Sequence, residues 1–317
     1  MIKEKINFLS SNKKTNIYAI CCFQEKMKIT KVLQIIHGMN EYIEKYLPFI
    51  EFLTSNGFVV VGHDHLGHGA SVSNSDDRGY FGEPEPDSLL IQDIHTLRLM
   101  TQKKYNNIPY FMLGHSMGSF LLRQYISLYS ENLSGVILLA TGYVSPCLSS
   151  ILIKIIQLFA CFKGWHHRSD FLLSWMNSNL KKKYNTDDNN YNNSWLSRDP
   201  EQVKILLTDK ISNSAKFTLN GLYGVFSLIH NSCNPSNFIK IKKDLPILFA
   251  SGQEDPLGNF GKDVEKCYQM MKSLGSIDVT MKLFEKDRHE LLKEIDRKDV
   301  FEYIKLWIEK KSLLYHN

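Results

Sequence analysis

A chain of 317 residues, 43% hydrophobic and 22% charged, can bury a large core as one domain, or as one domain with a big insertion. Its net charge of +5 is mild and its one dense basic block is Lys181–Lys183, so no nucleic-acid partner is expected. The N-terminus lacks the apolar core and cleavage site of a secretory signal. The six cysteines show no C-x-x-C spacing, so the expectation is a cytoplasmic protein with reduced thiols and neither disulfides nor zinc.

Strand-like and helical segments alternate along the chain. Residues 16–23 and 31–38 read as strands. Residues 41–57 place Tyr42, Tyr46, Phe49, Ile50 and Leu53 on one helical face, and Gly57 stops the helix. Residues 58–64 form a buried-strand run, and a Gly-, Ser- and Asp-rich loop leads to about residue 86. The next helix repeats its apolar face at Leu90, Ile94, Leu97 and Met100. A strand ends at Gly114, a helix starts near Met117, and 133–142 is again a buried strand. After an interruption, strands at 245–252 and 278–286 alternate with helices at 261–275 and 299–311. Repeated βα units with near-continuous apolar strands predict an α/β fold, a mainly parallel sheet covered on both faces.

The interruption, 143–235, differs in character and is expected to be a mostly helical insertion. It opens with an apolar run, 148–162, that as a helix would span only about 22 Å, short of a roughly 30 Å bilayer core. The run is apolar on almost every face, so it is either buried or presents surface to a lipid chain or bilayer; Ile151 and Ile155 are chosen as its substrate-facing residues. A polar stretch at 181–193 reads as a mobile loop, and 198–210 as a helix started by Asp199-Pro200.

Gly114-His115-Ser116-Met117-Gly118 falls on the strand-to-helix junction, the context of a nucleophile elbow. A turn that lifts the hydroxyl clear of the backbone leaves no room for side chains two residues to either side, hence the glycines. A serine hydroxyl needs a base, and the base an orienting acid. Asp255 lies just past one strand and His289 in the loop after the next, in the order serine, acid, histidine. Glu254 is the rival acid, and Asp287 or Glu290 could pair with His289 as surface groups. His115 should point away from the turn. The developing oxyanion needs two N–H donors: Met117, after the nucleophile, and Met39, in the loop where Gly38 lets the backbone approach the substrate. His63, His65 and His68 match no zinc spacing, so no metal or cofactor is expected.

With these pieces in order, the chain resembles the α/β-hydrolase family, in its lysophospholipase and monoacylglycerol lipase branch (serine aminopeptidase S33-like hydrolases). The resemblance, carried by HGMNEYIEKY, GHDHLGHGAS, GHSMGS, WLSRDPEQV, SGQEDPLG and DRHELLKE, covers nearly the whole chain. It implies an α/β-hydrolase core at 1–142 and 236–317 with a cap at 143–235, nucleophile Ser116, acid Asp255, base His289, and oxyanion donors Met39 and Met117. The implied substrate is a monoacyl lipid ester, with transient membrane-surface contact through the cap. Leu66 replaces the arginine of the D-x-R-G-H-G loop, and 209–218 departs from the Cys-Gly-Phe segment of close relatives; the second departure bears on substrate choice. A small-ester carboxylesterase, an amidase or peptidase, and a non-catalytic binding protein of the same fold are the alternatives.

Overall fold

Runs such as Val32-Leu33, Val59-Val60-Val61 and Ile137-Leu138-Leu139 bury every residue, which only a strand covered on both faces can do. The computed structural model describes residues 1–170, 172, 195–213 and 216–313. In it, strands β1 (Ile2–Leu9), β2 (Asn16–Phe23), β3 (Lys31–Ile36), β4 (Phe58–His63), β5 (Tyr110–His115), β6 (Gly135–Leu139), β7 (Ile247–Gly252) and β8 (Val279–Phe284) form one sheet. Its order is β1-β2-β4-β3-β5-β6-β7-β8. β1 and β2 are antiparallel to their neighbours, and β3 through β8 run parallel to one another. The fold is the expected α/β-hydrolase sheet. The N-terminal strand β1 was not expected: it lies at the sheet edge and pairs along its whole length with β2.

The pleat sends alternate side chains to two cores. Val32, Ile36, Val59, Val61 and Met112 pack under α2 (Pro86–Lys104) and α3 (Met117–Tyr129). Leu33, Ile35, Val60, Phe111 and Leu113 pack against α1 (Leu47–Thr54) and the C-terminal helix Arg297–Ser312. Each fully buried aliphatic or aromatic side chain contributes about 1.5–3 kcal/mol.

Between β6 and β7 the described residues hold α4 (Pro146–Lys163), α5 (Pro200–Thr208), α6 (Lys210–Asn213), α7 (Leu219–Cys233) and α8 (Pro235–Ile239); α9 (Lys262–Ser273) and α10 (Arg297–Ser312) follow. The polar stretch 181–193 lies outside the described residues. Asp199 caps α5 by accepting from the N–H groups of Glu201 and Gln202. α7 shares the central core: Leu219, Leu222 and Leu228 are buried there. Buried Arg123 of α3 fastens it by donating to Ser232 O at 2.6 Å and to Gly142 O, in the segment that follows β6, at 2.8 Å.

α4 runs for 18 residues, about 27 Å, so the helix is longer than the apolar run 148–162 and by length and composition alone could cross a membrane. It packs against α7 through one face, where Ser149, Ile156 and Ala160 are buried. Leu148, Ile151, Ile155, Leu158, Phe159 and Phe162 are exposed, at the spacing of a single helical stripe. All six cysteines are free, with Cys147 and Cys161 exposed on this helix.

α3 enters the sheet so closely that a Cβ on Gly118 would stand 2.1 Å from the carbonyl oxygen of Ile36 in β3. A backbone atom in a central strand cannot move aside. Gly118→Ala should therefore destabilise the protein by about 1–3 kcal/mol or more, read as a lower urea midpoint. An unchanged midpoint would contradict this packing.

Candidate active site

Ser116 stands between β5 and α3 with φ 53° and ψ −119°, a left-handed conformation that costs a non-glycine residue of order 1–3 kcal/mol. Its environment enforces it. The Ser116 N–H donates to Leu139 O of β6 at 3.0 Å, and its carbonyl accepts from Ser119 N–H at 2.8 Å. A Cβ on Gly114 would stand 2.2 Å from Gly118 O, so the turn itself excludes a side chain there. At Gly118 the obstacle is β3 rather than Gly114.

The His289 Nε2 lies 2.9 Å from Ser116 Oγ, and Nδ1 lies 2.9 Å from Asp255 Oδ2. Asp255 is fully buried, and its other oxygen accepts from Leu257 N–H at 2.8 Å. Hydroxyl, imidazole and carboxylate thus form a continuous relay across the C-terminal ends of β5, β7 and β8. The rival Glu254 is directed elsewhere, its carboxylate 3.8 Å from Arg288 Nε. Asp287 and Glu290 are not the surface groups expected from sequence. Both are buried, Asp287 against Arg198 and Glu290 against Lys293. Burial and the neighbouring Asp296 push the Asp287 carboxyl up to about 7.

The loop after β3 passes directly over the serine: a Cβ on Gly38 would lie 3.1 Å from Ser116 Cβ. The Gly38 N–H is committed to Glu41 Oε2 at 2.8 Å, and Met39 is the next residue of the same loop. Met117 is the first residue of α3, where an N–H has no partner within its own helix.

Glu41, which sequence reasoning did not single out, is the centre of this region. It is buried, and besides Gly38 N–H it accepts from Tyr46 Oη at 2.6 Å and Lys293 Nζ at 2.8 Å, with His115 Nδ1 at 2.9 Å. His115 turns its Nδ1 into this cluster but stays beside the base: its Nε2 lies 3.3 Å from His289 O and its ring 5.3 Å from the His289 ring. Burial opposes the Glu41 charge, yet Lys293 and His115 outweigh it and hold the carboxyl well below the usual range. Burial likewise opposes protonation of His115, but Glu41 and Glu290 overcome it and raise its pKa.

His63 at the end of β4 and the loop histidines His65 and His68 are buried and pack together. His65 Nδ1 lies 3.3 Å from His63 Nε2, His65 N–H donates to His37 Nε2 at 2.9 Å, and His68 stacks on Phe81. Burial pushes His63 down to about 3 and His68 to about 4, so they are neutral packing groups at neutral pH. Ile151 and Ile155 stand on the exposed stripe of α4, 51% and 39% accessible.

The sequence profile of the family described as serine aminopeptidase, S33, matches residues 27–296. A monoglyceride lipase homolog of Monkeypox virus is 25% identical over 296 residues, 92% of this chain and 95% of that protein. The monoglyceride lipase of Rattus norvegicus is 25% identical over 298 residues, covering 92% and 86%. Among solved structures, a thermostable carboxyl esterase from Bacillus coagulans in complex with glycerol superimposes with a TM-score of 0.88 at 28% identity, covering 98% of this chain and 99% of that one.

Glu41→Gln removes the anion that Lys293 and His115 are buried against, which should cost about 3–5 kcal/mol near neutral pH. Because the native carboxyl titrates below its unfolded value, its contribution is complete above the ordinary glutamate range and drains as pH falls through the native value. Urea titrations should show the gap between parent and variant closing in acid. A gap under about 1 kcal/mol at neutral pH, or one that does not change with pH, would contradict the ionic role.

Proposed function

Since the chain belongs to the serine aminopeptidase S33 family of hydrolases, we propose that it cleaves carboxylic esters of monoacyl lipids through an acyl-enzyme on Ser116. The observation that carries this reading is the relay Ser116–His289–Asp255, with both of its links at 2.9 Å, mounted on a strained elbow. Ser116 Oγ attacks the ester carbonyl while His289 Nε2 takes its proton. Asp255 holds the tautomer that keeps Nε2 free to accept, and stabilises the imidazolium. The N–H groups of Met39 and Met117 receive the oxyanion. The imidazolium then protonates the leaving alcohol, and a water deprotonated by the same imidazole releases the fatty acid. No step calls for a metal, so chelators should leave activity unchanged.

The substrate class rests on the relatives described as monoglyceride lipases and on the insertion, which we take to be a cap over the acyl site. The exposed stripe of α4, flanked by Lys154 and Lys163, suits transient contact with a lipid surface, and we assign Ile151 and Ile155 on it to the acyl chain of the substrate. We place the protein in the cytoplasm on its thiols and assign it no nucleic-acid partner. Likeness to a carboxyl esterase favours a small-ester hydrolase as the second reading.

Ser116→Ala should lower ester turnover roughly 10⁴-fold or more without unfolding the chain. Asp255→Asn should cost several orders of magnitude in kcat, and Glu254→Gln little; the reverse ranking would move the acid to Glu254. kcat/KM should fall on acidification, as protonation removes the base.

Each buried methylene contributes about 0.8 kcal/mol, so kcat/KM should climb from acetyl to medium and long monoacyl esters. Ile151→Asp or Ile155→Asp should flatten that climb and spare short esters. A profile peaking at acetate favours the small-ester reading.

A further inference from the structure

The loop that carries His289 is held by the insertion as well as by the sheet. Its Glu290 N–H donates to Leu196 O at 2.7 Å and its His289 N–H to Trp195 O at 3.4 Å. The Trp195 ring lies 5.1 Å from the His289 ring, centroid to centroid. Ser197 Oγ donates to Lys293 O at 3.0 Å. One residue further, Arg198 donates from Nε to Glu294 Oε2 at 3.1 Å and from Nη2 to Asp296 Oδ1 at 2.6 Å and to Asp287 Oδ1. Its backbone N–H also reaches Glu294, at 3.2 Å.

Asp287, Glu294 and Asp296 offer oxygens within 4.8 Å of one another, and two of the three residues are buried. Like charges so placed repel strongly when partly desolvated. A planar guanidinium engages them together, which a point charge cannot do as well. The effect reaches the relay from two sides. Asp287 is two residues before His289, and its carbonyl accepts from Glu254 N–H at 2.8 Å, next to Asp255. The same carbonyl would lie 2.2 Å from a Cβ on Gly252, at the end of β7.

We propose that Arg198 is a positioning residue for the base: by clamping the insertion segment Trp195–Asp199 onto the loop 287–296, it fixes the His289 ring between Ser116 and Asp255. Seating of this part of the insertion and assembly of the relay are then one event, and lifting the segment disarms the site. The inference rests on the relay reading given under Proposed function.

The test uses p-nitrophenyl acetate, too short to draw on apolar surface in the insertion. Arg198→Ala should lower kcat roughly 10²-fold, the effect of about 1 Å of misplacement, with KM nearly unchanged. Fluorophosphonate labelling of Ser116 should slow in parallel, and millimolar guanidinium ion should recover part of both. The downfield NMR signal of the proton shared by His289 and Asp255 should broaden in the variant. A folded Arg198→Ala protein with kcat within about twofold of the parent, or a loss confined to KM, overturns the proposal. If that variant does not fold, Arg198→Lys keeps a cation without the fork and should lose about tenfold in kcat; unchanged kcat overturns it equally. Retained activity in Ser116→Ala would instead defeat the relay reading beneath it.

Discussion

One buried carboxylate, Glu41, holds together loops that come from three distant parts of the chain. Through Gly38 it fixes the peptide that passes over the serine, through His115 the strand end from which the elbow springs, and through Lys293 the loop that bears His289. Each of those segments lies at the C-terminal edge of a parallel sheet, where the strand ladders end. A charge placed in the low dielectric between them is worth more than at the surface, and it costs more to leave unpaired. That asymmetry locks the three loops to one geometry.

The rest of the site stands on this constraint and on close backbone approach. Ser116 keeps its left-handed backbone because β6 takes its N–H and because α3 lies against β3 with only a hydrogen at Gly118 between them. The relay then needs no adjustment: serine, imidazole and carboxylate are already at hydrogen-bond distance. Reorganisation is avoided at the moment of reaction, which is where preorganised sites gain their rate. Arg198 extends the same logic outward, from the sheet loops to the insertion.

How much of this was legible in the sequence follows from how local each signal is. Ser116, Asp255 and His289 each sit just past an apolar strand run, so order and spacing located them. The strands β3 to β7 announced themselves as continuous apolar runs. β1 did not, because an edge strand alternates accessible polar residues with partly covered ones, and Ile2, Lys3, Glu4 and Lys5 read as a polar terminus. Glu41 sits in a segment whose pattern reads as the start of an amphipathic helix, and its partners are 74 and 252 residues away. Asp287 was misjudged as a surface group for the same reason, since Arg198, the cation packed against it, is 89 residues away; Glu290 has its cation, Lys293, three residues on, and only its burial depends on the fold. The exposed face of α4 was undecidable from composition, since an apolar run says nothing of which side is covered.

The most direct test of the account is a structure of the protein after reaction with a long-chain monoacyl fluorophosphonate. It predicts phosphorus bonded to Ser116 Oγ, with one phosphoryl oxygen about 2.7–3.1 Å from the N–H groups of Met39 and Met117 and the alkyl chain running beneath the insertion. An adduct on another residue, or a phosphoryl oxygen turned away from both amides, would contradict it.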